Sequence, residues 1–174
     1  ADWYRQLLAA ATGADIDDRY RLWYVEHGDH DPIGPAWVGL PDAAAHIVPY
    51  LSVVEQALLD LDAWVLAGTP PPPNSRYTIG ADSQVHLAPT AAARGSVQPL
   101  VWLSVGDGSP ATTVAVDEPV TFTVDAEVPT GTGKIVAVEW DFEGTAEFLA
   151  DPAAIAAAPT LHGHRTSHTY RTPG

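Results

Sequence analysis

The chain has 174 residues, 46% hydrophobic and 17% charged, with 16 prolines, 14 glycines and no cysteine. That length suits one ordinary domain or two small ones, and the apolar fraction is that of a folded globular protein, so a large two-domain enzyme and wholesale disorder are both excluded. Eight Lys plus Arg against 22 Asp plus Glu give a formal charge of -14, which excludes nucleic acid and anionic membrane surfaces as partners because little here neutralises phosphate.

Without cysteine there is no disulfide framework, thiol nucleophile or zinc-thiolate site. No run reaches the ~18 apolar residues of a membrane span, and Ala1-Asp2-Trp3-Tyr4-Arg5 lacks the basic-then-apolar layout of a secretory leader.

In chain order, the spacing of Trp3, Leu7, Leu8 and Ala11 predicts a helix over Asp2 to Ala11, stopped by Gly13. Tyr20-Arg21-Leu22-Trp23-Tyr24-Val25 is a run of β-formers and reads as a strand. Glu26-His27-Gly28-Asp29-His30-Asp31-Pro32 is polar and turn-rich, a loop leaving that strand. The strongest helix starts near Pro49. Its stripe of Leu51, Val54, Leu58, Leu61 and Val65 marks a face for the core, and Gly68 with Pro70 to Pro73 ends it.

Tyr77-Thr78-Ile79, Gly80 to Ser83 and Val85-His86-Leu87 read as a hairpin, and Ala88 to Gly95 as a connector. Strands are then expected over Leu100 to Val105, Val120 to Val124 and Ile135 to Trp140, the cadence of an antiparallel sandwich. Trp102 and Trp140, both inside strands, are expected to be buried. Scattered Asp107, Asp141 and Glu143, and His162, His164 and His168 on a presumed exposed loop, do not form a metal-ligand pattern, so no metal or other cofactor is expected.

Residues Asp18 to His30, with the helix ending Trp64-Val65-Leu66-Ala67-Gly68-Thr69-Pro70-Pro71, resemble the last strand, catalytic-histidine loop and closing helix of secreted tannase- or feruloyl-esterase-like α/β-hydrolases. The resemblance implies that His30 is the general base, with His27 the alternative. A serine hydrolase needs that imidazole to take the nucleophile's proton and return it to the leaving group. No Gly-x-Ser-x-Gly elbow occurs in the sequence, so the serine and its orienting acid are expected upstream, in a longer polypeptide.

Val138-Glu139-Trp140-Asp141-Phe142-Glu143-Gly144 and Ser167-His168-Thr169-Tyr170-Arg171-Thr172-Pro173-Gly174 resemble the two signatures of PKD-type immunoglobulin-like domains, which implies a core role for Trp140 and a corner contact for Tyr170. The expected fold class is therefore mixed. It joins the C-terminal helix-strand-helix portion of an α/β-hydrolase sheet (residues 1–79), a hairpin linker (80–97) and a PKD-like antiparallel sandwich (98–174), with both folds incomplete. The expected function is the histidine-bearing end of a secreted ester hydrolase acting on a small-molecule or polymer ester. The alternative is a non-catalytic binding or spacer protein with a polysaccharide- or protein-binding module.

Overall fold

The computed structural model describes residues 1–13, 16–28, 47–48, 50–145 and 147–173. It is a mixed structure with few helices and small antiparallel sheets. The chain divides into two compact units, Ala1–Gln98 with Pro129–Thr132, and Pro99–Val128 with Gly133–Gly174. No helix among the described residues is long and apolar enough to cross a membrane.

In the first unit, α1 spans Asp2–Thr12 and closes on Gly13, whose φ of 62° is the left-handed conformation a helix end favours in glycine. Helix α2 spans Leu51–Ala67. It closes on Gly68, where Gly68 N–H and Thr69 N–H return to the carbonyls of Trp64 and Ala63. The helix and its stop agree with the sequence, but the destination of its stripe does not. Leu51, Val54, Leu58, Leu61 and Val65 are all exposed. Helical periodicity specifies a face that wants a partner, and the described residues leave most of that face without one.

The expected strand at Tyr20 to Val25 forms no ladder among the described residues. Its neighbour is the proline run, and prolines have no N–H to donate. Side chains take over the exchange. Leu22 N–H donates to Asn74 Oδ1 at 2.6 Å, and Tyr24 N–H donates to Ser75 Oγ at 2.9 Å. Ser75 N–H returns a bond to the Leu22 carbonyl at 2.9 Å. The proline carbonyls receive side chains instead, Arg21 Nε at Pro72 and Trp23 Nε1 at Pro73, both at 3.1 Å. Trp64 lies under the Arg21 guanidinium, 4.8 Å from its ring centre.

Strands β1 (Tyr77–Ile79) and β2 (Val85–Leu87) pair antiparallel with Tyr77 opposite Leu87, as the hairpin pattern predicts. The expected connector is not featureless. Helix α3, Ala91–Arg94, is capped by Thr90 Oγ1, which accepts the Ala93 N–H. Ala91, Arg94, Ser96 and Gln98 are buried.

The second unit is built on β3 (Leu100–Val105), β4 (Pro119–Glu127) and β7 (Thr160–Thr169), antiparallel in the order β3-β4-β7. A short pair accompanies it, β5 (Glu139–Trp140) with β6 (Leu149–Ala150). The expected strand over Ile135 to Trp140 is thus only its last two residues, with Ile135 bridging Ala158. Val120, Val124, Ala126 and Trp140 form the core.

Trp102 departs from expectation. It is 46% exposed, and Val101 and Leu103 beside it are exposed as well. Among the described residues β3 lies at the edge of its sheet beside β4, and three successive residues project to alternate faces, so neither face is fully covered there.

Candidate functional site

His30 lies outside the described residues, as do Asp29 and Asp31. His27 is described. It is exposed, at φ 56°, in the left-handed region where a side-chain-bearing residue marks a sharp reversal. Its carbonyl accepts the Val48 N–H at 2.8 Å, and Gly28 forms a parallel bridge with Val48. The chain therefore leaves at Gly28 and is back in register at Val48, so the segment bearing His30 has its two ends joined. Gly28 is tightly placed, since a Cβ there would stand 3.1 Å from Val25 Cβ.

One residue before His27, Glu26 is held through its main chain by Gln98 and through its side chain by Arg94 of the expected connector. Gln98 Oε1 accepts the Glu26 N–H at 2.7 Å, and Gln98 Nε2 donates to the Glu26 carbonyl at 3.0 Å. Arg94, with its side chain 5% exposed, donates to Glu26 Oε2 at 2.8 Å and through Nε to the Ala88 carbonyl at 2.9 Å. Sequence reasoning missed both residues. They sit 68 and 72 positions from their partner in a run of small residues, and no local spacing announces such a contact.

Beside this segment, α2 and residues 19–25 enclose an apolar groove of about 490 Å³. Leu22, Trp23, Val54, Leu61 and Trp64 are among its walls. No serine, threonine or histidine is among the described residues that line it.

In the second unit, the histidines expected on an exposed loop lie on β7. A bulge between Val124 and Ala126 sets two residues of β7 against one of β4, with Gly163 at φ 60° and its N–H donated to Asp125 Oδ1 at 3.0 Å. The extra residue changes which side chains turn inward. Leu161 precedes the bulge and His164, Thr166 and His168 follow it on the less exposed side. His162 stays exposed beside Asp125.

His164 Nε2 meets Asp151 Oδ2 at 3.0 Å, and the same oxygen accepts Trp140 Nε1–H at 2.6 Å. Asp151 is 3% exposed and His164 11%. The Ala153 N–H donated to its other oxygen at 2.7 Å, then Trp140 and His164, hold the Asp151 carboxyl below the usual range. Trp140 and Phe142 stack at 5.9 Å, Phe142 and His168 at 4.3 Å, and Tyr170 meets His168 edge-on at 4.7 Å. Tyr170 OH donates to the Phe142 carbonyl at 3.0 Å. Trp140 is thus buried in the core, Tyr170 packs on His168 and bonds the Phe142 carbonyl, and the two inner histidines belong to this packing.

Asp141 and Asp107 accept main-chain N–H groups of the turns that follow them, at Glu143, Thr145 and Ser109. Among the described residues, no group of three or more histidines and carboxylates is disposed to hold a metal ion. No family model matches the chain, and no curated protein or solved structure matches it.

Proposed function

We propose that the first unit supplies the general base of a serine-dependent ester hydrolase, with His30 as that base. The observation supporting this reading is the joined neck at His27, Gly28 and Val48, which anchors both ends of the histidine-bearing segment beside the capped helix α2. In the proposed reaction the imidazole takes the proton of a serine hydroxyl as its oxygen attacks the ester carbonyl. It then delivers that proton to the departing alkoxide, and the same transfer in reverse order activates water to release the acid.

The 174 residues contain no nucleophile elbow, so the serine and orienting acid belong to an upstream part of a longer, secreted polypeptide. The second unit serves as a PKD-type spacer or protein-docking module. One observation favours a polysaccharide- or protein-binding alternative for that unit, the exposed Val101-Trp102-Leu103 edge.

The test is hydrolysis of p-nitrophenyl acetate by this chain in continuity with its upstream coding sequence. His30→Ala is expected to lower kcat ~10³-fold or more, while His27→Ala keeps most of the activity. An upstream sequence without a Gly-x-Ser-x-Gly elbow, or full activity in His30→Ala, overturns the reading.

A further inference from the structure

We propose that the second unit binds an extended peptide strand of a partner protein, with alternating apolar side chains and a basic end, in the cavity lined by residues 111–114. The inference rests on the protein-docking role given to this unit and names the partner's chemistry. The ester chemistry of the first unit plays no part in it.

The cavity measures about 680 Å³, within the ~300–1,000 Å³ of sites that take organic ligands. Its apolar lining includes Val105 of β3, Val120 and Phe122 of β4, and Phe142. The run from Pro110 to Val116 lines it as well.

That run is tied at both ends. Val105 N–H donates to the Ser109 carbonyl at 2.8 Å, and Asp117 N–H donates to the Tyr170 carbonyl at 2.9 Å. Ala115 N–H donates to Glu118 Oε2 at 3.3 Å. Between these ties, the main-chain N–H and C=O groups of Ala111, Thr112, Thr113 and Val114 have no hydrogen-bond partner among the described residues. The run Thr112 to Val116 is rich in β-formers, so it suits a ladder that the described residues do not supply. A small apolar molecule would fill the cavity and leave those main-chain groups unmatched. A strand answers both needs at once. Its main chain offers donors and acceptors along the run, while every second side chain enters the apolar space.

Charge narrows the partner. Glu143 is among the lining residues, and no lysine or arginine is among the described ones. Burial first, and then the charges of Glu143 and Asp141, push the hydroxyl of Tyr170, also in the lining, above its ordinary value. The potential there is negative. His168 Nε2 lies 3.4 Å from Glu143 Oε1, yet the Glu143 side chain is 66% exposed and open to a second cation. Arg171 is engaged with Asp117 at 3.0 Å. A second copy of this chain, at -14, would meet repulsion, whereas a strand ending in Lys or Arg meets attraction.

The probe is acetyl-Lys-Val-Thr-Val-Thr-Val-Lys-amide, titrated into the full chain by calorimetry, with 15N amide spectra to locate it. Saturable binding is expected, with shifts over residues 111–116 and ~10-fold or slower exchange of the Ala111 to Val114 amides. The same peptide N-methylated at its three central residues keeps the side chains and loses donors, and it binds ~10-fold or more weakly. Thr113→Pro removes an N–H that bonds nothing among the described residues and weakens the unmethylated peptide ~5-fold. Glu143→Gln weakens it ~3-fold and flattens its salt dependence.

No saturable binding overturns the proposal, as does equal affinity for the N-methylated peptide. Shifts centred on Val101-Trp102-Leu103 overturn this site while sparing a docking role for the unit. Binding that disappears in a longer parent polypeptide shows the cavity filled in cis, and self-association of the chain alone with shifts over residues 111–116 shows it filled by a second copy. Either result overturns the partner reading. If Thr113→Pro fails to fold, the N-methylated peptide decides the matter, because it changes no residue of the protein.

Discussion

Replacing Asp151 by asparagine tests the core of the second unit most directly. The change preserves shape and removes charge. Asp151 now satisfies Trp140 Nε1–H at 2.6 Å, the Ala153 N–H at 2.7 Å and the His164 ring at 3.0 Å, with both oxygens engaged. An asparagine has one oxygen. Turned toward Trp140, it sets its NH2 against the Ala153 N–H; turned toward Ala153, it sets the NH2 against the indole. Either way one donor loses its acceptor at a site 3% exposed, which costs about 2 kcal/mol. For a unit of roughly 70 residues that lowers Tm by ~10 °C.

The acid limb gives the sign. The Asp151 carboxyl is held below its ordinary value, so its stabilisation is complete above that value, ~3.9, and is lost as pH falls through the folded-state value. Urea unfolding followed by tryptophan fluorescence at several pH values is the assay. The gap between wild type and Asp151→Asn should be full at pH 7 and narrow in acid. A variant as stable as wild type at pH 7, or a gap unchanged in strong acid, refutes the view that a charged carboxylate holds this core together.

Tyr170→Phe deletes only the hydroxyl donated to the Phe142 carbonyl and should cost about 1 kcal/mol, read as a lower urea midpoint at unchanged slope. Burial first, and then its hydrogen bond to Asp2, push the Tyr77 hydroxyl up to about 12. Its contribution to the first unit is therefore complete below the ordinary tyrosine value of ~10 and is lost as pH rises from there to the folded value. An ultraviolet titration should show a late-ionising tyrosine that disappears in Tyr77→Phe. On the spacer reading, wild type is not retained on insoluble polysaccharide, and Trp102→Ala changes stability by less than about 1 kcal/mol. Retention that Trp102→Ala abolishes, with folding intact, establishes the binding alternative.

What the sequence made legible was local. The α2 stop at Gly68, the β1–β2 turn and the β-formers of β3 and β4 each carry their signal within a few residues. Strand β7 was illegible because Thr160 to Thr169 reads Thr-Leu-His-Gly-His-Arg-Thr-Ser-His-Thr, with one aliphatic residue and a bulge that breaks the period of two. Its inward positions are filled by histidines that stack on Trp140 and Phe142, and hydropathy does not score that kind of packing. Tyr20 to Val25 misled in the opposite sense. Its composition is that of a strand, but a ladder depends on the neighbour, and here the neighbour is Pro70 to Pro73. At the candidate site, the histidines were visible as residues, while the grip of Arg94 and Gln98 on Glu26 arises only from folding.

The proline run also gives residues 20–25 a handedness of growth. One flank faces a stretch of main chain rich in acceptors and without N–H groups over Pro70 to Pro73, already occupied by Arg21 and Trp23. Over the prolines themselves a ladder finds acceptors and no donors, and the main-chain return on that flank comes from beyond them, from Ser75 N–H to the Leu22 carbonyl. The prolines thus act as a hem, the finished border at which β-structure ends, and replacing two of them with threonine would reopen that border to pairing.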